Sequence, residues 1–291
     1  MDVKIFENYT KSGRILKDIF EALVIKPGDK LLDIADTVEN EIMRKGAMPA
    51  FPANISLNEI AAHYTPTPGD EAVVKEGDLV KVDLGAHIDG YIADSAATFC
   101  SEKSDMIVAV RNAVDAATKM MKPGIKVKDV SDAIESEIES KGFRPVNNLT
   151  GHSLDKFIFH GPVAIPNVRN DIDYEFKIDD VFAVEPFATD GAGSVKDSEK
   201  VYIFRYFKDH NTRLQEGRQV LTLAKSDFSS LPFCERWIKG ITRIKFDIAV
   251  KQLVAAGAIE AYPVLREVNK GRVAQAEHTV IIRDKPVVTT Q

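Results

Sequence analysis

Residues 26–46, KPGDKLLDIADTVENEIMRKG, align without a gap on residues 122–142, KPGIKVKDVSDAIESEIESKG, and eleven of the 21 positions are identical. Self-similarity of this kind limits the chain to architectures built from two copies of one supersecondary unit. Each copy reads as a Pro-Gly turn followed by an amphipathic helix. Ile34, Val38 and Ile42 in the first copy, and Val130, Ile134 and Ile138 in the second, recur at i, i+4, i+8. Gly46 and Gly142 stand where a helix C-terminus takes a left-handed residue. Further along, Ser56, Leu57 and His63 match Ser153, Leu154 and His160. The segment GDLVKVD at 77–83 lies over DDVFAVE at 179–185, so Asp83 corresponds to Glu185. Ala93-Asp94 then resembles Ala276-Glu277, but the offset has jumped from 102 to 183, which marks an insertion of about 81 residues in the second copy.

The repeat predicts an α/β (α+β) chain, a single domain over residues 1–291, made of two pseudo-symmetric halves with antiparallel sheet, covering helices and a pocket between them. The insertion, at about 195–268, is expected to be a helical subdomain within that domain. Its stretch DIAVKQLVAAGAIEAYP reads as a helix with Ile248, Leu253, Val254 and Ile259 in the core, and residues 5–24 as another with Ile15, Ile19, Phe20 and Leu23 on one face.

A hydrophobic share of 44% and a charged share of 28% exclude a disordered or fibrous chain. No run approaches 18 uninterrupted apolar residues, so no membrane span is expected, and the charged opening MDVKIFENYTKSGRILKD lacks the apolar core of a secretory signal. A cytoplasmic location with Cys100 and Cys234 both reduced is the expectation. The net charge of −6 offers nucleic acid, DNA included, no global attraction. The basic residues gather in 201–270, where 12 Lys/Arg face 7 Asp/Glu.

Asp83 and Asp94 bracket DLGAHIDGYIAD, two strand-like runs meeting at a turn. With Ile88-Asp89 as the two-residue loop the acids lie directly opposite; with Asp89-Gly90 they are diagonal neighbours. Either register puts both on one face, where carboxylates roughly 5 Å apart repel unless a cation or shared proton intervenes. A lone pair of strand acids would read as solvated surface. The repeat changes that reading, because Glu185 and Glu277 occupy the matching positions in the apolar settings VFAVEPFA and VAQAEHTVII. Four acids cancel two divalent cations, and His152 in LTGHSLD is the natural fifth ligand. Oxygen donors with a single imidazole suit Mn, Fe, Co or Zn, and a two-metal centre of this sort generates a bridging hydroxide near neutral pH, so hydrolysis is the expected reaction. His63 and His160, matched across the repeat, are placed to hydrogen-bond a tetrahedral intermediate and the departing nitrogen, whereas His87, His210 and His278 read as structural. No GxSxG, P-loop or GxGxxG motif is present.

Together FPANISLNEIAAHYTP, VDLGAHIDGYIAD, LTGHSLDKFIFHG, AVEPFATDGAG and QAEHT resemble the methionine aminopeptidases over nearly the whole chain. The insertion after the first glutamate is similar to the type II form, and the short N-terminal region to its archaeal members. The resemblance implies the pita-bread fold and a metal centre of Asp83, Asp94, His152, Glu185 and Glu277, with Asp94 and Glu277 bridging two ions. It implies that Glu185 is the acid/base, that His63 and His160 assist, and that Phe51, Pro52, Phe159, Phe187 and Tyr262 line the methionine pocket and its neighbourhood. The implied substrate is the N-terminal methionine of a nascent polypeptide, with a small second residue preferred. A monomer is expected, and the basic 201–270 region, through Arg236, Lys239, Arg243 and Lys245, offers a transient contact with the ribosome. Two rivals share the scaffold. An Xaa-Pro aminopeptidase or prolidase usually carries a sizeable N-terminal domain, yet only 82 residues precede Asp83, and a non-catalytic protein- or RNA-binding relative typically loses ligands that are all present here.

Overall fold

The two copies of the repeat fold into two copies of one layered unit in the computed structural model, which describes residues 1–291. The first half contains α1 (Val3–Ala22), α2 (Leu31–Arg44), β1 (Met48–Leu57), β2 (Ile60–Ala62), β3 (Val80–Ile88) and β4 (Tyr91–Phe99). The second begins with α3 (Asp105–Met120), α4 (Val127–Ser140), β5 (Arg144–Pro145), β6 (Thr150–Ser153), β7 (Ala164–Pro166), β8 (Val181–Val184) and β9 (Phe187–Thr189). The inserted segment adds β10 (Val195–Tyr206), α5 (Gln215–Asp227), β11 (Pro232–Cys234), a 3₁₀ turn at Glu235–Trp237, α6 (Arg243–Ala255) and β12 (Ile259–Glu267). The chain then returns to the second half with β13 (Val273–Gln275), β14 (His278–Ile281) and β15 (Val287–Val288).

Helices α2 and α4 start and stop at corresponding repeat positions, and Gly46 (φ 85°) and Gly142 (φ 78°) follow their C-caps in the left-handed region. Even the irregular parts match. Lys30 bridges to Val73 as Lys126 does to Glu175, and the Asp78 and Asp180 carboxylates accept from the Lys75 and Lys177 amides at 2.8 and 2.9 Å. Each half buries its own core. Ile34, Val38 and Ile42 pack with Leu16 and Ile19 against Ile55, Val80 and Val82, while Val130, Ile134 and Ile138 pack with Val110 and Val114 against Phe182, Val184 and Val280. Each such side chain contributes ~1.5–3 kcal/mol of apolar burial, so the helices are held mainly by the sheets they cover.

All strand pairs are antiparallel, in sheets ordered β1-β3-β4, β11-β10-β12-β2, β13-β9-β5 and β15-β14-β8-β6-β7. The β3–β4 hairpin turns at Asp89-Gly90, both at positive φ (53° and 86°) as a type I′ loop requires. Asp83 therefore faces Ala96, and Gly85 faces Asp94, which makes the two acids diagonal neighbours.

Residues 195–268 differ from the helical expectation. They form a mixed unit in which α5 and α6 cover β10, β11 and β12, with a separate cluster built on Phe204, Val220, Phe233, Phe246 and Leu253. Helix α6 ends at Ala255 because Gly257 (φ 63°) accommodates the C-terminal turn, so Ile259 opens β12 rather than continuing a helix. Ile248 and Val254 are exposed, and the buried stripe is Phe246, Ala249, Val250 and Leu253. The unit is anchored to α2 through Arg236, whose guanidinium reaches Glu39 at 2.7 Å and Thr65 at 3.0 Å, while Trp237 Nε1 donates to Glu39 at 2.8 Å. No helix is long and apolar enough to cross a membrane, and both cysteines are free.

Candidate metal centre

Strand geometry brings the five expected ligands together. Asp83 on β3 and Asp94 on β4 share one face of the first-half hairpin. In the second half β8 lies between β6 and β14, so that His152 on β6, Glu185 just after β8 and Glu277 just before β14 emerge side by side. The halves meet where Ala96 and Glu277 exchange backbone hydrogen bonds. His152 Nε2 stands 3.7 Å from Asp94 Oδ2 and 3.7 Å from Glu185 Oε1. Asp94, His152 and Glu277 can each direct one donor atom to a common point, those atoms all lying within 4.8 Å of one another. Asp83 and Glu185 complete the floor of a cavity of about 320 Å³ between the halves.

The electrostatics of this floor are those of a cation site. Burial pushes the Asp83 carboxyl up to about 7, against a small opposing contribution from Gln275 Nε2 at 3.5 Å. Asp94, Glu185 and Glu277 lie well above the usual carboxylate range, first through burial and then through mutual repulsion. Asp83 Oδ1, Asp94 Oδ1 and Glu277 Oε1 are buried without any hydrogen-bond partner. Unpaired buried acceptors on clustered acids fit a divalent ion, which would take the lone pairs and relieve the repulsion. The donors, four carboxylates and an imidazole, suit a hard or borderline cation.

The two matched histidines flank this floor. The His63 Nδ1 faces the Pro263 carbonyl of β12 at 3.1 Å. A carbonyl only accepts, so Nδ1 carries the proton and Nε2 is left as an acceptor. Burial holds both His63 and His160 below the ordinary histidine range, which keeps the rings neutral. The His160 ring lies 4.5 Å from that of His152, and Tyr262 stands 5.6 Å from His63 and 6.1 Å from His160. Phe51 packs on Phe159 at 4.6 Å, and Phe187, buried, closes the wall.

The model of metallopeptidase family M24 matches residues 7–284. The chain belongs to this family. A methionine aminopeptidase of Thermococcus onnurineus is 45% identical over 290 residues, 98% of each chain. Among solved structures, a thermophilic Arx1 superimposes with a TM-score of 0.87 at 18% identity, covering 99% of this chain and 91% of that one. The methionine aminopeptidase of Thermotoga maritima gives 0.72 at 22% identity, covering 100% and 98%. These two likenesses show the fold, the pita bread of the M24 family, and that family fits a divalent-metal requirement.

Two expectations need correction. Pro52 is buried and is not among the residues that line the cavity, and its carbonyl accepts from Asn54 Nδ2 at 3.1 Å within the irregular stretch of β1. Arg236 does not belong to a basic surface, since its side chain is only 7% exposed and is consumed by Glu39, Asp36 and the Pro66 carbonyl. Several wall residues escaped the sequence reading: Asn54, Asn148, Thr150, Ile203 and Pro232. Asn148 and Thr150 could have been found from their place just ahead of His152, but Ile203 and Pro232 reach the cavity only through the folding of the insertion.

Proposed function

We propose that this M24 peptidase is a metal-dependent aminopeptidase that removes the N-terminal methionine of nascent proteins and peptides. The observation that carries the reading is the convergence of the buried Asp94, His152 and Glu277, beside the half-buried Asp83 and Glu185, in a cavity walled by Phe51, Phe159 and Phe187. The 45% identity to a methionine aminopeptidase over 98% of both chains supports it.

Asp83, Asp94, His152, Glu185 and Glu277 would hold two divalent ions, from among Co, Mn, Fe and Zn, that supply an activated water and a Lewis acid. The rest is the work of the chain's own groups. Glu185, at the edge of the floor with a carboxyl that favours its proton, takes a proton from the attacking water and returns it to the leaving amine. His63 Nε2 accepts from the scissile N–H, an assignment that follows from the Pro263 carbonyl on its other nitrogen. The neutral His160 ring donates to the oxygen on which charge develops. Phe51, Phe159 and Phe187 enclose an unbranched apolar side chain, and Tyr262 with the two histidines crowds the next position, which favours a small second residue.

The protein works in the cytoplasm as a monomer, and any ribosome contact falls to Lys239, Arg243 and Lys245 once Arg236 is set aside. Reversing those three charges is expected to abolish co-sedimentation with ribosomes if the contact exists, and to leave it unchanged if the face is merely solvated. The activity is tested by offering Met-Ala-Ser, Ala-Pro and Lys-Ala-Ser to metal-stripped protein with and without Mn, Co, Fe or Zn. Metal-dependent release of methionine alone is expected. Cleavage of Ala-Pro instead would move the assignment to a proline-directed peptidase, and no cleavage with any ion would favour a binding role.

A further inference from the structure

Lys81 is among the largest fully buried side chains of the molecule, at 1% exposure, and it forms no ion pair. Along β3, Val80, Val82 and Leu84 enter the first-half core, so Lys81 projects from the opposite face, the one that also carries Asp83. Its Nζ donates to the Asn58 carbonyl at 3.0 Å, in the turn after β1, and to the Val273 carbonyl at 2.9 Å, in β13 of the other half. Val273 N–H in turn donates to the same Asn58 carbonyl at 3.0 Å, which closes a three-way joint.

The joint sits at one end of a seam that the backbone specifies weakly. Between β4 and the 273–279 segment the main chains make a single reciprocal pair, Ala96 with Glu277 at 2.9 and 3.4 Å. Side chains hold the rest. Thr98 Oγ1 donates to the Gln275 carbonyl and accepts from its amide at 2.7 and 2.8 Å, Ser95 Oγ donates to the Glu277 carbonyl at 3.0 Å, and Thr279 Oγ1 bonds both ways with the Asp94 backbone at 2.7 and 2.8 Å. A slip of one residue along such a seam would turn Glu277 away from the cavity. Of the groups along it, Lys81 bonds two separate segments through one atom, and it lies cross-strand from Thr98, beside the Gln275 contacts.

We propose that Lys81 is a positioning residue: its amine group, bonded at once to Asn58 and Val273, locks the register at which the Glu277 segment docks on β3–β4 and thereby sets how Glu277 meets Asp83 and Asp94. The proposal rests on the metal-centre reading for its consequence but not for its geometry.

The test compares the full-length protein with Lys81→Met, which keeps the length and loses the donor, and Lys81→Ala, with and without n-propylammonium. Mn(II) titration by calorimetry and electron paramagnetic resonance reads the metal pair, and amide hydrogen exchange of metal-free protein reads the seam. Both variants are expected to lose about tenfold or more in affinity for Mn(II), to lose the spin-coupled signal of two adjacent ions, and to exchange faster at Val273–Glu277. Propylammonium should restore all three in Lys81→Ala and none in Lys81→Met. Wild-type affinity, spin coupling and exchange in Lys81→Met would overturn the proposal, as would misfolding of Lys81→Ala that the amine does not relieve. If the unaltered protein takes up no Mn(II), the metal-centre reading fails, and the exchange rates alone still decide the register role.

Discussion

In the proposed mechanism Glu185 combines two demands that normally conflict: it would carry charge to bind a cation and favour its proton to move one. Burial and the neighbouring Asp83 set that balance. Glu185→Gln is expected to lower turnover by ~10²–10⁴-fold with the fold retained, and single-turnover kinetics beside circular dichroism would check both halves of the statement. The acids also impose a pH dependence on metal-free protein. Asp83, pushed up to about 7, binds more protons folded than unfolded, so its contribution to stability falls as pH rises from about 4 towards 7. The gain in melting temperature on adding Mn(II) should therefore be larger at pH 7.5 than at pH 5, measured against chelator-treated samples. An equal gain at both would mean that the cation does not relieve buried charge. The four acids, His63 and His160 were legible because each is matched by its counterpart in the other repeat, whereas His152 has no such partner. The tautomer of His63 was not, since the carbonyl that fixes it lies 200 residues away.

The repeat helices show how far local pattern reaches. Apolar spacing and terminal glycines predicted α2 and α4 together with their ends, because those signals act within one turn. The hairpin gave two allowed registers, and only the left-handed Asp89-Gly90 loop selects one. Helix α6 misled the pattern because Ile244 and Ile248 are apolar yet exposed, which leaves two competing stripes. How the insertion attaches was invisible, as Glu39 and Arg236 carry no periodic signal. That attachment is a buried ion pair, with side-chain exposures of 6% and 7%. Arg236→Ala is expected to cost ~3–5 kcal/mol, because it strands Glu39 without its cation, and Glu39→Leu combined with Arg236→Met should recover much of the loss. Urea denaturation of the single and double variants checks this, and equal destabilisation in both would count against the ion-pair account.

At the level of the whole molecule, the approximate two-fold relation was readable from the offsets alone, whereas the closeness of the halves was not. Helix α1 passes the last strand region so tightly that a Cβ on Gly13 would lie 2.4 Å from the Thr289 carbonyl. Gly13→Ala should cost ~1–3 kcal/mol through overpacking and lower the melting temperature while leaving the five proposed metal ligands untouched. A thermal melt of the variant, set beside its KM for a methionyl peptide, would separate the two effects. The position of the floor has a further consequence for biogenesis. Its acids are spread from Asp83 to Glu277, and the last of them follows the insertion in the chain. A copy still being made therefore lacks one of the five side chains until Glu277 has been added and set beside Ala96.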